Sequence, residues 1–121
     1  PGPAACSYQI KDENGNRIAD YVCFLGQTTN NVAEYTAIIK ALTRAAEETK
    51  EAIHVYSDSQ LVIRQITGVY RISKPHLKAL YDEVMVLASR FSHCIWEYVP
   101  RTHPDIGYCD RLCNEELDRH R

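Results

Sequence analysis

Two acidic residues stand where a carboxylate can face open space instead of a core. Glu34 lies in Thr28-Thr29-Asn30-Asn31-Val32-Ala33-Glu34-Tyr35, and Asp58 in Val55-Tyr56-Ser57-Asp58-Ser59-Gln60. The first stretch is predicted to open a helix and the second to close a strand, and open α/β sheets bind ligands at such ends. Two carboxylates on one crevice would form the oxygen site that magnesium prefers. Each acid also has a plainer role. Asn31 is a good N-cap, which puts Glu34 near the capping-box position, and Asp58 or Ser59 can cap the helix that follows the strand. Glu34 nevertheless precedes Ile38 by four residues, on the stripe predicted to be buried. A carboxylate aimed inward needs a cation, a base or a metal as partner.

The elements that must hold these acids follow from periodicity. Residues 5–10 and 18–25 read as two strands around Asn14-Gly15, a strong hairpin signal. Tyr35, Ile38, Ile39, Leu42 and Ala46 keep helical spacing over about 31–48. A strand is expected at 53–57, then a short helix at about 59–67 with a break at Gly68. Pro75 starts a second long helix, with Leu77, Leu80, Tyr81, Val84, Leu87, Ala88 and Phe91 as its buried stripe. A final strand is expected from Cys94 to Val99, a loop from Pro100 to Ile106, and a last helix over about 108–117. This order predicts a single α/β domain over residues 1–121, with a mixed β-sheet and helices on both faces.

With 121 residues the chain is long enough for one proper core. Its net charge of −2 excludes a strongly basic polyanion binder without excluding local basic contacts. Arg64, Arg71, Lys74, His76 and Lys78 form a loose basic stretch that can track phosphates or simply remain solvated. No apolar run reaches the roughly 18 residues of a membrane helix, so no membrane partner is expected, and nothing resembles a signal peptide. The five cysteines, Cys6, Cys23, Cys94, Cys109 and Cys113, lack C-x-x-C spacing and suggest reduced thiols, hence a cytoplasmic or nuclear setting. Cys109 and Cys113, four apart near His103 and His120, would allow a zinc site, but small core residues are the preferred reading.

Four motifs in order, T-T-N-N-x-A-E-Y, S-D-S-Q, V-P-R and C-D-R-L-C-N, resemble the ribonuclease H family, in its short cellular or retroelement-type form. Q-I-T-G-V-Y-R also has counterparts there, and the resemblance spans essentially the whole chain. It implies a ribonuclease H-like fold and an endonuclease that cuts the RNA strand of an RNA–DNA hybrid with two Mg2+ or Mn2+ ions. By position it implies that Glu34, Asp58 and Asp110 are metal ligands, although Asp110 alone would pass for a first-turn helix acid. His103 would match the mobile histidine with which some members assist product release or proton transfer; a solvent-exposed loop histidine is the alternative. Asn30, Asn31 and Gln60 would contact the hybrid, where side-chain amides can read 2′-hydroxyls. No obligate protein partner is implied.

The resemblance also exposes departures. The family begins with a central strand ending in an aspartate-glycine pair, and here Pro1-Gly2-Pro3-Ala4 matches the tail of the loop after it. The chain would then lack the first of four acids and leave two unpaired strand edges across a gap, so poor folding and weak metal affinity are expected. A longer parent protein, a strand from a partner chain and a degenerate protein all remain open. Ile106 stands where relatives often carry asparagine, and the spacing from Arg101 to Asp110 is long. Ile106 and the absent aspartate favour a non-catalytic nucleic-acid-binding or interaction module; the ribonuclease H domain of a retroelement polymerase is a third possibility.

Overall fold

The computed structural model describes all 121 residues. Strands β1 (Gly2–Lys11) and β2 (Arg17–Thr28) form an antiparallel hairpin. Helix α1 (Asn30–Ala45) leads to β3 (Ile53–Ser57), α2 (Gln60–Ile66), α3 (Pro75–Ala88), β4 (Cys94–Tyr98) and α4 (Pro104–Arg119). β3 and β4 pair in parallel, which requires the crossover that α2 and α3 supply. Helices α1, α2 and α3 share one face, and α4 packs across β1 and β2 on the other. The predicted α/β architecture with helices on both faces is the one observed.

The sheet, however, is in two pieces. β1 bonds only to β2, and β3 only to β4. The second edges of β1 and β3 line the same cavity of about 150 Å³, with Ala5 to Gln9 on one wall and Val55 to Asp58 on the other. The unpaired edges expected across a gap are therefore present.

Three local expectations need correction. Gly2, Pro3 and Ala4 are not loop: they extend β1 by pairing with Thr28, Gln27 and Gly26. The register shifts between Ala4 and Ala5, where β2 carries an extra residue beside Gly26 at φ 74°, and that bulge lets the strand continue. The N-cap of α1 is Thr29, not Asn31; its hydroxyl accepts from the Val32 N–H at 3.3 Å. Glu34 thus lies in the second turn, beyond any capping-box position. Helix α4 starts at Pro104, inside the predicted loop. Pro at the first helical position loses no hydrogen bond, and His103 caps the end by accepting the Asp105 N–H on Nδ1 at 3.2 Å. Asp105, not Asp110, is the first-turn acid.

The core lies between α1, α2 and α3. Tyr35, Ile38, Leu42, Val62, Ile66, Leu77, Val84, Leu87 and Phe91 form one buried cluster, backed by Ile53 and Val55 of β3. The single polar insertion is satisfied: the Tyr35 hydroxyl donates to Gln65 Oε1 at 2.7 Å. This packing fixes one face of α1, and with it the direction in which Glu34 leaves that helix.

Candidate active site

Glu34 leaves the second turn of α1, Asp58 follows the last residue of β3, and Asp110 sits midway along α4. All three line the 150 Å³ cavity between the two half-sheets, and all three also line an adjoining one of about 370 Å³. Three elements remote in sequence thus deliver carboxylates to one cleft. Asn30 and Asn31, at the start of α1, line the larger cavity. Gln60, the first residue of α2, is exposed and lines neither.

Each acid has a polar neighbour. The Ser57 hydroxyl donates to Glu34 Oε2 at 3.4 Å and accepts the Ser59 N–H at 3.0 Å, so it ties the strand end to α1. Asn114 Nδ2 donates to Asp110 Oδ2 at 3.4 Å from one turn later. Arg101 Nε donates to Asp58 Oδ2 at 3.1 Å, from the loop before α4. Burial, and then the charge of Asp58, push the Glu34 carboxyl up to about 7; the Ser57 hydrogen bond and Arg101 pull the other way.

A cation beside this acid would favour its charged form. The donor set is right for a hard divalent ion in kind: carboxylate oxygens with asparagine side chains around them and no imidazole among the lining residues. It is not preassembled, since no three His, Cys, Asp or Glu side chains are arranged to hold one ion. The residues therefore fit such an ion by chemistry and position, with a rearrangement of side chains still to be made. Arg101 stands at the cleft instead, its side chain 72% exposed against 19% for Asp58. An arginine pressed into a core against Asp58 would count against a metal site; an arginine reaching in from solvent does not.

His103 caps α4 and lays its ring over Tyr56, centroids 5.8 Å apart. Tyr56 in turn stacks on His54, which contacts Glu97 Oε1 at 2.9 Å. His103 is thus neither free nor a plain loop histidine. The zinc grouping does not assemble. The Cys113 thiol donates to Ser7 Oγ at 3.2 Å, and His120 stacks on Phe24 at 3.8 Å. Burial raises the Cys109 thiol to about 11, away from reactivity. Sequence reasoning gave no role to Ser57 or Asn114: Ser57 serves Glu34 from another element, and Asn114 serves Asp110 from one turn along the same helix. It quoted Arg101 only within V-P-R.

A family model described as reverse transcriptase-like matches residues 1–109. Ribonuclease HI of Halobacterium salinarum is 36% identical over 118 residues, which cover 98% of this chain and 58% of that protein. The crystal structure of RNase H1 from the same archaeon superposes with a TM-score of 0.91 at 35% identity, covering 98% of this chain and 89% of the other. The chain belongs to the ribonuclease H family. The N-terminal RNase H domain of Rv2228c from Mycobacterium tuberculosis, solved as a fusion, gives a TM-score of 0.92 at 34% identity over 98% of this chain and 85% of that one. LC11-RNase H1, solved in complex with an RNA/DNA hybrid, gives 0.90 at 32% identity over 99% and 89%. This ribonuclease H-like chain spans about a third of the full-length mycobacterial protein (32%) and 58% of the archaeal one.

Proposed function

We propose that this chain is the catalytic part of a metal-dependent endonuclease that hydrolyses the RNA strand of RNA–DNA hybrids. The observation that carries the reading is the meeting of Glu34, Asp58 and Asp110 in one cleft. A relative solved on an RNA/DNA hybrid gives it a substrate class. When bound, a pair of Mg2+ or Mn2+ ions would activate a water and stabilise the leaving oxygen of an in-line displacement. The chain's own residues do the rest. Glu34, Asp58 and Asp110 would hold the cations, with Asn114 donating a hydrogen bond to the Asp110 carboxylate. Asn30 and Asn31, at the rim, present amides that can donate to and accept from ribose hydroxyls. His103 lines neither cavity but stacks on Tyr56, which lines the smaller one, and from there it would take or return a proton. Gln60, outside both cavities, is the weakest of the proposed substrate contacts.

The test is cleavage of a labelled hybrid with Mg2+ or Mn2+. Asp58→Asn and Glu34→Gln should each lower kcat by at least about 10²-fold while hybrid binding persists, because the loss falls on charge stabilised in the transition state. Retained cleavage in both variants would remove the assignment.

The second reading is a non-catalytic module that binds nucleic acid or a protein. It is favoured by the unassembled ligand set. Hybrid binding without cleavage at saturating Mn2+ would select it. That the matching family model is described as reverse transcriptase-like keeps open a domain of a retroelement polymerase.

A further inference from the structure

Arg101 is the one cationic side chain lining either cavity, against three acids. Its backbone is held close to the cleft: the Val99 N–H bonds to Ser57 O at 2.9 Å, and the His103 N–H to Pro100 O at 2.9 Å. Its side chain is not held. It reaches in from solvent, 72% exposed, and makes a single hydrogen bond, from Nε to Asp58 Oδ2. An arginine built to lock a carboxylate uses its planar fork, two parallel N–H groups on two oxygens. Here that fork is unused, and an exposed single contact of this kind is weak. Meanwhile no three acids are arranged around a common point. One oxygen of Asp58, Oδ2, is engaged by the guanidinium.

We propose that Arg101 is a displaceable counter-cation, which holds the Asp58 carboxylate until a divalent cation gathers the three acids and releases the guanidinium to the rim. The inference rests on the metal reading of the cleft given above. It makes Arg101 a positioning residue that competes with the metal. In the apo chain it limits repulsion among carboxylates crowded into one cleft. Once released, it adds a positive charge at the edge that a phosphate backbone must approach.

The experiment is a Mn2+ titration at pH 8, with free Mn2+ followed by electron paramagnetic resonance. It compares the protein with Arg101→Gln and Arg101→Lys, and their apo melting curves confirm the fold. Arg101→Gln should bind Mn2+ about three- to tenfold more tightly, as expected for losing one exposed competing charge, and Arg101→Lys should stay within about twofold. Equal or weaker binding by Arg101→Gln overturns the proposal and makes Arg101 an aid to the site. If neither protein takes up Mn2+, the metal reading itself has failed, and this proposal with it. A second measurement needs no variant: the Arg101 Nε–H resonance should shift as Mg2+ saturates the wild-type protein. A resonance that stays in place through saturation overturns the displacement.

Discussion

The two faces of this protein are built differently. On the α1–α2–α3 face, Tyr35, Leu42, Val62 and Val84 are fully buried, and the cluster around them is almost wholly hydrocarbon. On the α4 face, no residue of the helix is buried. Its ties to the hairpin are polar: Ser7 Oγ donates to Cys109 O at 2.8 Å, and Lys11 Nζ and Gln9 Nε2 donate to Asp105 at 2.7 and 3.3 Å. The site lies in the seam between the faces. Glu34 is positioned by the packed face, whereas Asp110 rides on the looser one. Stability and ligand geometry are thus carried by different sets of residues, with α1 as the element common to both.

The sharpest way to break that contrast is to cut each face equally. Leu42→Ala should cost about 2–5 kcal/mol through lost burial and a residual cavity, lowering Tm by on the order of 10–20 °C. Cys109→Ala on the opposite face should cost under about 1 kcal/mol, because α4 has no tightly enclosed space to leave empty. Thermal melts monitored by circular dichroism decide it. Comparable losses would mean that the two faces form one cooperative core.

The seam itself should cost stability at neutral pH. The folded Glu34 carboxyl titrates near 7, above its ordinary value of 4.5, because burial and Asp58 disfavour its charge. The folded state therefore binds this proton better than the unfolded state does. The resulting penalty is absent below about pH 4.5, grows between 4.5 and 7, and is constant above. Glu34→Gln should remove it, stabilising the apo protein at pH 8 by on the order of 1–3 kcal/mol and leaving it nearly unchanged at pH 4. The same substitution is expected to abolish cleavage, so a gain in stability with a loss of activity is the signature of strain kept for function. Urea melts of both proteins at the two pH values test it, and equal differences at both would show that Glu34 is simply solvated.

How far the sequence carried this contrast depends on the range of the signals. The packed face was readable because it is periodic: Tyr35, Ile38 and Leu42, and Leu77, Val84 and Leu87, repeat at helical spacing and are buried. The strand at 53–57 was readable to the residue. Asp58 and Glu34 were marked by element ends, but the pairing of Asp58 with Arg101 was not, since it joins residues 43 apart in sequence. The start of α4 was missed because Pro100 and Pro104 both read as loop, although Pro104 and Asp105 together are also a helix-start signal. The extension of β1 through Gly2–Ala4 was missed because it depends on a bulge opposite, which no local pattern in those residues reveals.

If the faces differ as described, their backbones should open differently. Amides in the middle of α4 should exchange about 10- to 100-fold faster than those of α1 and α3, because fewer apolar contacts must break to expose them. Hydrogen exchange followed by NMR or mass spectrometry measures this directly. Matching protection in all three helices would place α4 in the same cooperative unit as the core.

The smallest effect concerns the anchor of α4 to β1, and it has its own pH window. The hydrogen bond from Lys11 holds the Asp105 carboxyl below its ordinary 3.8, with further help from the Lys11 charge and the Gln9 amide. A depressed carboxyl stabilises the folded state fully above about pH 3.8 and loses that contribution as pH falls below it. Both partners are about two-fifths exposed, so solvent screens the pair and its worth should stay under about 1 kcal/mol. Asp105→Asn should therefore lower stability slightly at pH 7 and leave it unchanged near pH 2, the reverse of the Glu34→Gln pattern. The opposite signs follow from opposite surroundings: Asp105 meets a lysine at the solvent edge, and Glu34 meets another acid inside the cleft. Because α4 carries Asp110, loosening this anchor should also weaken Mn2+ binding by a small factor, on the order of twofold. A loss of stability at pH 7 with no change in Mn2+ affinity would show that Asp110 is placed by the middle of α4 alone, through Cys109 and Cys113 against Ser7.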